Sequence, residues 1–403
     1  MAKGGNAFVK VVIAGGGIGG VTAALALARR SFDVEIVEQA SALREAGAGL
    51  QLSPNAMKVF RALGIEERIA SVASVPKALE LRLGRSGQKV FSIPMGGAAS
   101  RRYGAPYLHI HRADLLEILL GAAKESGQVR VRLGARLAGY LEEGRGVRAG
   151  LDTGEIVEGD VLVGADGLHS QVRRQLCGPD EAQFTGAVAW RFTAPADAVR
   201  EHFDAPAATV WAGPGRHAVT YALRRGELMN FVGVVESDGW RAEGWSEEGD
   251  LTELAAAFAG WARPVTALIE AATSCMRWAL FDRDLLERWT AGRVALLGDA
   301  CHPMPPFQAQ GAAMAAEDAF VLARCLGDAG GNIPGALAHY ERLRKPRTTK
   351  VLASARSNMG VFHRSNPVTQ AATYGPMKLA GMLLPGFVRS RQDWIYGHDA
   401  TRA

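Results

Sequence analysis

Hydrophobic positions change their period several times along this chain, and each change marks an element. Val9 to Ala14 is a continuous apolar run, the pattern of a strand buried on both faces. Val21 to Arg30 then takes helical spacing, and Val34 to Val37 returns to a buried strand that ends at Glu38. Ser53, Pro54 and Gly64 bracket another helix as N-cap, first helical residue and stop. "HRADLLEILLGAAKE" is amphipathic, with Arg112 at its head. "DVLVGADG" and "GRVALLGDA" are two further buried strands, each running into a glycine-aspartate loop. Between these two strands the texture differs. "FTGAVAWRFTA" and "ATVWAGPGRHAVTYALRRGELMNFVGVVE" alternate apolar and polar residues between Gly-Pro and Arg-Arg-Gly turns, which predicts an antiparallel sheet.

The turn between the first strand and helix carries Gly15, Gly17 and Gly20 as G-x-G-x-x-G. Two glycines let backbone approach a pyrophosphate, the third lets helix pack on strand, and the helix N-terminus supplies amide donors. Glu38 ends the second strand, where it accepts from ribose hydroxyls, and its charge disfavours a 2′-phosphate. Strand, turn, helix, strand and acid in this order predict a dinucleotide site. The glycine-rich "LREAGAGLQ" approach loop and a second loop around Asp166, Gly167 and Arg173 are more than NAD alone needs.

The fold class is therefore α/β: a Rossmann-like dinucleotide-binding domain with an inserted antiparallel β-sheet substrate domain and C-terminal helices. The expected boundaries are 1–180 and 281–345 for the discontinuous cofactor domain, 181–280 for the sheet, and 346–403 for the helical segment.

"LLGDACHPMPPFQAQGAAMAAEDA" holds Asp299, Cys301 and His302 together. Neighbouring loop residues rarely converge on one ion, and no second ligand cluster exists, so no metal is expected. Adjacent Cys301 and His302 side chains diverge on an extended loop, which argues against a nucleophile-base pair. The reading left is a stiff loop shaped around a bound ring, followed by a helix whose first amides, at Gly311, Ala312 and Ala313, favour an anion or a ring gaining negative charge.

Composition narrows the classes. With 403 residues the chain can bury a large ligand, and a net charge of +5 is small for that length. The one basic cluster, Arg342, Arg344, Lys345, Arg347 and Lys350, reads as a solvated helix end, so no nucleic-acid partner is expected. The start lacks signal-peptide features, and "LAGMLLPGFV" is too short to span a bilayer. Four cysteines without short regular spacing fit free thiols. A cytoplasmic protein without a membrane partner, monomeric or homodimeric, is expected.

The segments "AGGGIGG…VEIVEQ", "VGADGLHSQVR" and "LLGDACHPMPPFQAQGAAMAAEDA", in this order, resemble those of the single-component FAD-dependent aromatic hydroxylases, with salicylate, 3-hydroxybenzoate and 6-hydroxynicotinate monooxygenases nearest. The likeness extends to "DWIYGHDA" near the end of the chain. It implies non-covalent FAD held by Gly15, Gly17, Gly20 and Glu38, with Arg112 near the flavin chain and Asp299 on the ribityl chain. It implies Asp166 against both FAD and a transient NADH or NADPH, and Gly311 onward at the isoalloxazine. The chemistry implied is hydroxylation of an aromatic hydroxy acid with NAD(P)H and O2 through a flavin C4a-hydroperoxide, with or without decarboxylation.

Deprotonating a ring hydroxyl makes the ring electron-rich enough for such attack. His217 and Tyr221 share one strand face, about 13 Å apart at about 3.3 Å per residue, which leaves room for one ring. The resemblance carries His and Tyr at this spacing, against the plain alternative of a hydrogen-bonded core face. Tyr221, with His217 alongside, is the expected proton acceptor, Gln310 the expected partner of the same hydroxyl, and Gln51 and Pro306 further pocket residues. Gln51 stands where the hydroxynicotinate enzymes place a histidine, which favours a hydroxybenzoate. The alternatives are another flavoenzyme of this fold (epoxidase, reductase or halogenase) and a flavin-binding protein without turnover. The chain has no W-x-W-x-I-P segment, which argues against a halogenase.

Overall fold

The computed structural model describes residues 9–43, 49–203, 205–239 and 247–402. The apolar runs assemble as their β-branched composition dictates. Lys10–Ala14 lies between Asp33–Glu38 and Val161–Gly164, all parallel; Val129–Leu133 extends one side and Val294–Leu296 the other. Thr290–Ala291 closes the edge antiparallel. Helix Ile18–Ala28 covers this sheet and packs on helix Gly311–Gly327. Small residues permit the approach: a Cβ on Gly19 would stand 2.9 Å from Leu297 and 3.3 Å from Ala315.

The second sheet has eight strands, in the order Glu247–Gly249, Cys275–Asp282, Gln183–Pro195, Leu228–Glu236, Arg216–Leu223, Ala207–Gly213, Ala78–Leu83 and Lys89–Pro94. The predicted insertion is thus wider than 181–280. Ala78–Leu83 pairs parallel with Ala207–Gly213 and brings Lys89–Pro94 with it, so two strands come from the first segment. The expected boundary at 345/346 also falls inside an element, because Ile333–Phe362 is one 30-residue helix that runs through Pro346. Helices Pro367–Leu383, Pro385–Ser390 and Asp393–Tyr396 complete the chain.

That long helix also corrects the reading of the basic cluster. Arg344 is buried, with Nε donating to Asp318 at 2.7 Å and Nη1 to Glu317 at 2.6 Å, while Arg347 Nε reaches Glu317 at 2.7 Å. The two acids are buried on the neighbouring helix Gly311–Gly327, so the cations are drawn into the core instead of solvent. The buried carboxylates are charged: Arg344 and Arg347 hold Glu317 down at about 2, although burial alone would raise it. No helix among the described residues is long and apolar enough to cross a membrane.

Candidate active site

The two sheets enclose one large cavity of about 800 Å³, which runs from the glycine turn at Gly17 to Trp278 on the second sheet. Each of the three glycines has a different reason to be glycine. Gly15 has φ +105°, and a Cβ there would meet the Ala165 carbonyl oxygen at 2.3 Å. A Cβ on Gly20 would collide with the Gly15 carbonyl at 2.0 Å, which is the close helix-strand packing. Gly17 instead opens on empty space, with nothing within 4 Å of a Cβ, at the N-terminus of helix Ile18–Ala28.

A second helix N-terminus, at Gly311 and Ala312, faces the same cavity, and the Asp299 side chain is open to it. Burial raises the Asp299 carboxyl above the usual range, while His302 and Arg112 pull it down. Two helix N-termini and an open glycine along one cavity fit a long ligand that is anionic at one end and ring-shaped at the other. Those are the features of FAD.

Three expected contacts lie elsewhere. Asp166 caps helix Gln171–Cys177: one oxygen accepts from Ser170 Oγ at 2.5 Å, the other from the Gln171 amide at 2.7 Å, and Ala165 and Gly167 line the cavity in its place. Ala313 is buried in the core, one residue too far around the helix. Arg173 turns inward, donating to the Leu168 and Ala300 carbonyls at 2.7 and 3.2 Å, and so ties the two ligand loops together. Glu38, expected to accept from ribose hydroxyls, accepts from the Gly16 amide at 2.6 Å and the Ala40 amide at 2.8 Å and so fixes the glycine turn. Arg112, at the head of helix Arg112–Glu125, lines the cavity.

The second sheet forms the opposite wall. His217, Val219 and Tyr221 all line the cavity, as their shared face requires. Across the sheet, Val219 pairs with Val232 and Val232 with Arg191, so Arg191 stands in the row between His217 and Tyr221. Arg191 is the residue that sequence reading missed. Its guanidinium is deeply buried, stacks over Trp278 at 5.0 Å and has no carboxylate partner among the described residues. A lone arginine at an inward position of the alternating run "AVAWRFTA" was the available signal.

The polar groups of this wall differ in protonation. Burial pushes the Tyr221 phenol up to about 12, partly offset by Arg191, so Tyr221 is a donor at neutral pH. Burial drives His217 far below the ordinary histidine range, with His363 adding to the effect, so it is a neutral acceptor. His217 Nδ1 faces His363 Nε2 at 2.6 Å, which leaves Nε2 for the cavity. Gln310 lines the cavity but its amide is committed: Nε2 donates to Ser53 Oγ at 3.0 Å, and Oε1 accepts from Asn55 at 3.1 Å. The Ser53 hydroxyl is correspondingly not a helix cap; it donates to Asn55 Oδ1. Gln51 and Pro306 both line the cavity, and Gln51 accepts from Tyr107 at 2.6 Å. Tyr396 packs edge-on against Tyr107 at 5.6 Å, so the C-terminal segment braces this corner.

Cys301, His302 and Asp318 bring potential ligand atoms within 4.8 Å of one another. Asp318, however, already carries Arg344 and His302 on its two oxygens. The charge is balanced inside the protein as a buried ion-pair network.

A family model described as FAD binding domain matches residues 8–355. The chain is 38% identical over 97% of its length to a 3-amino-4-hydroxybenzoate 2-monooxygenase of Streptomyces platensis, PtnB3, covering 96% of it. It is 39% identical over 88% of its length to a 3-hydroxybenzoate 6-hydroxylase of Polaromonas naphthalenivorans (strain CJ2), covering 88% of that enzyme. Among solved structures, a salicylate hydroxylase substrate complex superposes with a TM-score of 0.82 at 28% identity, over 99% of this chain and 97% of that one. The chain belongs to the FAD-binding-domain family. It is an FAD-dependent oxidoreductase of the monooxygenase class.

Proposed function

We propose that the chain hydroxylates an aromatic hydroxy acid of the hydroxybenzoate or hydroxypyridine carboxylate class, with NADH or NADPH and O2 as co-substrates, in the cytoplasm. Bound and reduced, FAD supplies the activated oxygen and the electrons. Glycines 15, 17 and 20, Glu38, Arg112, Asp299 and the Gly311–Ala312 turn hold it, and the residues of the second sheet treat the ring.

The observation that carries this reading is Arg191, a buried guanidinium with no carboxylate partner among the described residues. Burying an uncompensated charge costs several kcal/mol, so such a site favours a ligand that brings the counter-charge. A substrate carboxylate does this, and a planar arginine matches it bidentately. Tyr221, protonated and beside Arg191, donates a second hydrogen bond there. His217 Nε2, two residues beyond Val219 on the other side, accepts the proton of the ring hydroxyl. The base is therefore His217, and Tyr221 and Arg191 orient the substrate. Gln310 acts on the substrate only through the position of its own helix and loop.

The test is a panel of hydroxybenzoates, amino-hydroxybenzoates and hydroxypyridine carboxylates, each beside its methyl ester, scored for product and for NADH and NADPH consumption. Hydroxylation of the free acids and not of the esters is expected. Equal turnover of acid and ester would remove the carboxylate from the reading.

A further inference from the structure

A buried neutral histidine is a poor place to leave a proton. His217 is 2% exposed and packs against Phe307 at 5.5 Å and Phe362 at 5.2 Å between ring centroids. Its side-chain hydrogen-bond partner among the described residues is His363, whose Nε2 lies 2.6 Å from His217 Nδ1. His363 is itself buried, and its Nδ1 lies 2.9 Å from Glu236 Oε1. The Glu236 side chain is 52% exposed. Three groups thus lead from the cavity wall to solvent.

We infer that His217, His363 and Glu236 form a proton path that carries the substrate hydroxyl's proton out of the pocket. The inference rests on the reading of the cavity as the site of an aromatic hydroxy acid. The tautomers follow from the geometry. Glu236 is an acceptor, so His363 carries its proton on Nδ1 and presents a lone pair at Nε2. His217 then carries its proton on Nδ1, donates to that lone pair, and keeps Nε2 free to accept.

Each bond broken is matched by one formed. The substrate O–H breaks as N–H forms at His217 Nε2. The His217 Nδ1 proton moves to His363 Nε2, the His363 Nδ1 proton moves to the Glu236 carboxylate, and Glu236 releases it to water. One proton reaches solvent, the ring keeps the negative charge, and no redox change occurs. The charged and titratable groups facing His363 are His217, Glu236 and Arg216. Burial holds His363 below the ordinary histidine range, with Arg216 adding to it and the Glu236 carboxylate opposing, so the relay does not trap an imidazolium. His217, with burial and His363 both against its charged form, is likewise a relay point instead of a store.

The experiment is stopped-flow mixing of the oxidised, FAD-loaded protein with 3-hydroxybenzoate and 3-amino-4-hydroxybenzoate in weak buffer with a pH indicator, without NAD(P)H. Absorbance of the bound phenolate is followed in parallel. Benzoate, which has no hydroxyl, is the control for release from the protein itself. Wild type is expected to release a proton as phenolate appears. In His363→Leu, release should slow on the order of 10²-fold while substrate affinity holds, and added imidazole should restore part of the rate. Glu236→Gln, at the surface, tests the outer step if the leucine variant does not fold, and should also slow release. Wild-type release rates in the folded variants would overturn the path. So would wild type that binds both acids and releases no proton. Failure of wild type to bind any ring acid would instead overturn the pocket reading on which the path stands.

Discussion

Arg344 Nε donates to Asp318 Oδ1 at 2.7 Å where neither side chain reaches solvent. The same guanidinium holds Glu317, and both acids sit on the helix whose first residues line the cavity. The pair therefore links the long C-terminal helix to the end of the helix that faces the cofactor. Arg344→Met keeps the length of the side chain and takes one cationic partner from each of two buried carboxylates, leaving Glu317 with Arg347 and Asp318 with His302. Removing one partner of a buried pair costs about 3–5 kcal/mol. Equilibrium urea unfolding of the FAD-loaded protein should show a lowered midpoint of that size, and a shift under about 1 kcal/mol would mean that the network is energetically slack.

The network also sets an acid limit. Glu317 is held at about 2 against an ordinary value of 4.5. A depressed carboxylate contributes stability that is present above its unfolded value and lost as pH falls through its folded one. Stability should thus decline between about pH 4.5 and pH 2, and Glu317→Gln should flatten the decline over that window. His302, raised by Cys301 and Asp318 despite burial, acts with the opposite sign: its contribution is full in acid and fades on the alkaline side. Thermal unfolding across the acid range checks the first claim, and unchanged slope in the glutamine variant would refute it.

Much of the cofactor half was legible in the chain because its constraints are local. Gly20 answers the Gly15 carbonyl within the same turn, Gly15 itself needs a positive φ, and the apolar runs fix the parallel strands. What escaped depends on distant partners. Arg344 looked like a solvated cation because Glu317 and Asp318 lie a full helix away, and nothing in the spacing shows that those acids are buried. Ala78–Leu83 joins the second sheet through a parallel pairing with Ala207–Gly213, more than a hundred residues on. His363 meets His217 from a helix that the predicted boundary assigned to a separate segment. Gln310, expected to bond the substrate hydroxyl, lines the wall with its amide bonded to Ser53 and Asn55, partners from a distant segment.

Glu38 offers a test of the glycine turn. Its carboxylate already binds the Gly16 and Ala40 amides, so it shapes the turn as well as standing where a ribose would come. Glu38→Ala should weaken FAD retention by about 1.5–3 kcal/mol, the range for hydrogen bonds to a charged group. Fluorescence titration of apoprotein with FAD reads this directly, and an unchanged dissociation constant would take Glu38 out of the cofactor site.

Arg191→Met retains the stack on Trp278 in part and deletes the charge. Loss of a charge-assisted bond of about 1.5–3 kcal/mol raises the dissociation constant of a ring acid roughly 10- to 150-fold. The methyl ester should bind this variant no worse than wild type. Matching losses for acid and ester would show that Arg191 shapes the pocket without reading the carboxylate.

Tyr221 and His217 separate by kinetics. Tyr221 is a donor, pushed up to about 12 by burial, and lies under the influence of Arg191. Tyr221→Phe keeps the ring and removes one hydrogen bond to the substrate, so KM should rise by about 5- to 10-fold, the worth of a typical bond of about 1 kcal/mol. Chemistry on bound substrate should change little, because the proton goes to His217. His217→Asn removes that acceptor, and kcat should fall by about 10²–10⁴, the usual weight of a general base. Starved of an activated ring, that variant should still consume NAD(P)H on binding substrate and return the oxygen as H2O2. A variant with only a lost core contact would unfold at lower urea but turn over normally per folded molecule. Product and peroxide per NAD(P)H, measured in both proteins beside wild type, decide between these outcomes. If the phenylalanine variant, rather than the asparagine one, shows the large fall in kcat, Tyr221 is the base and the assignment of His217 is reversed.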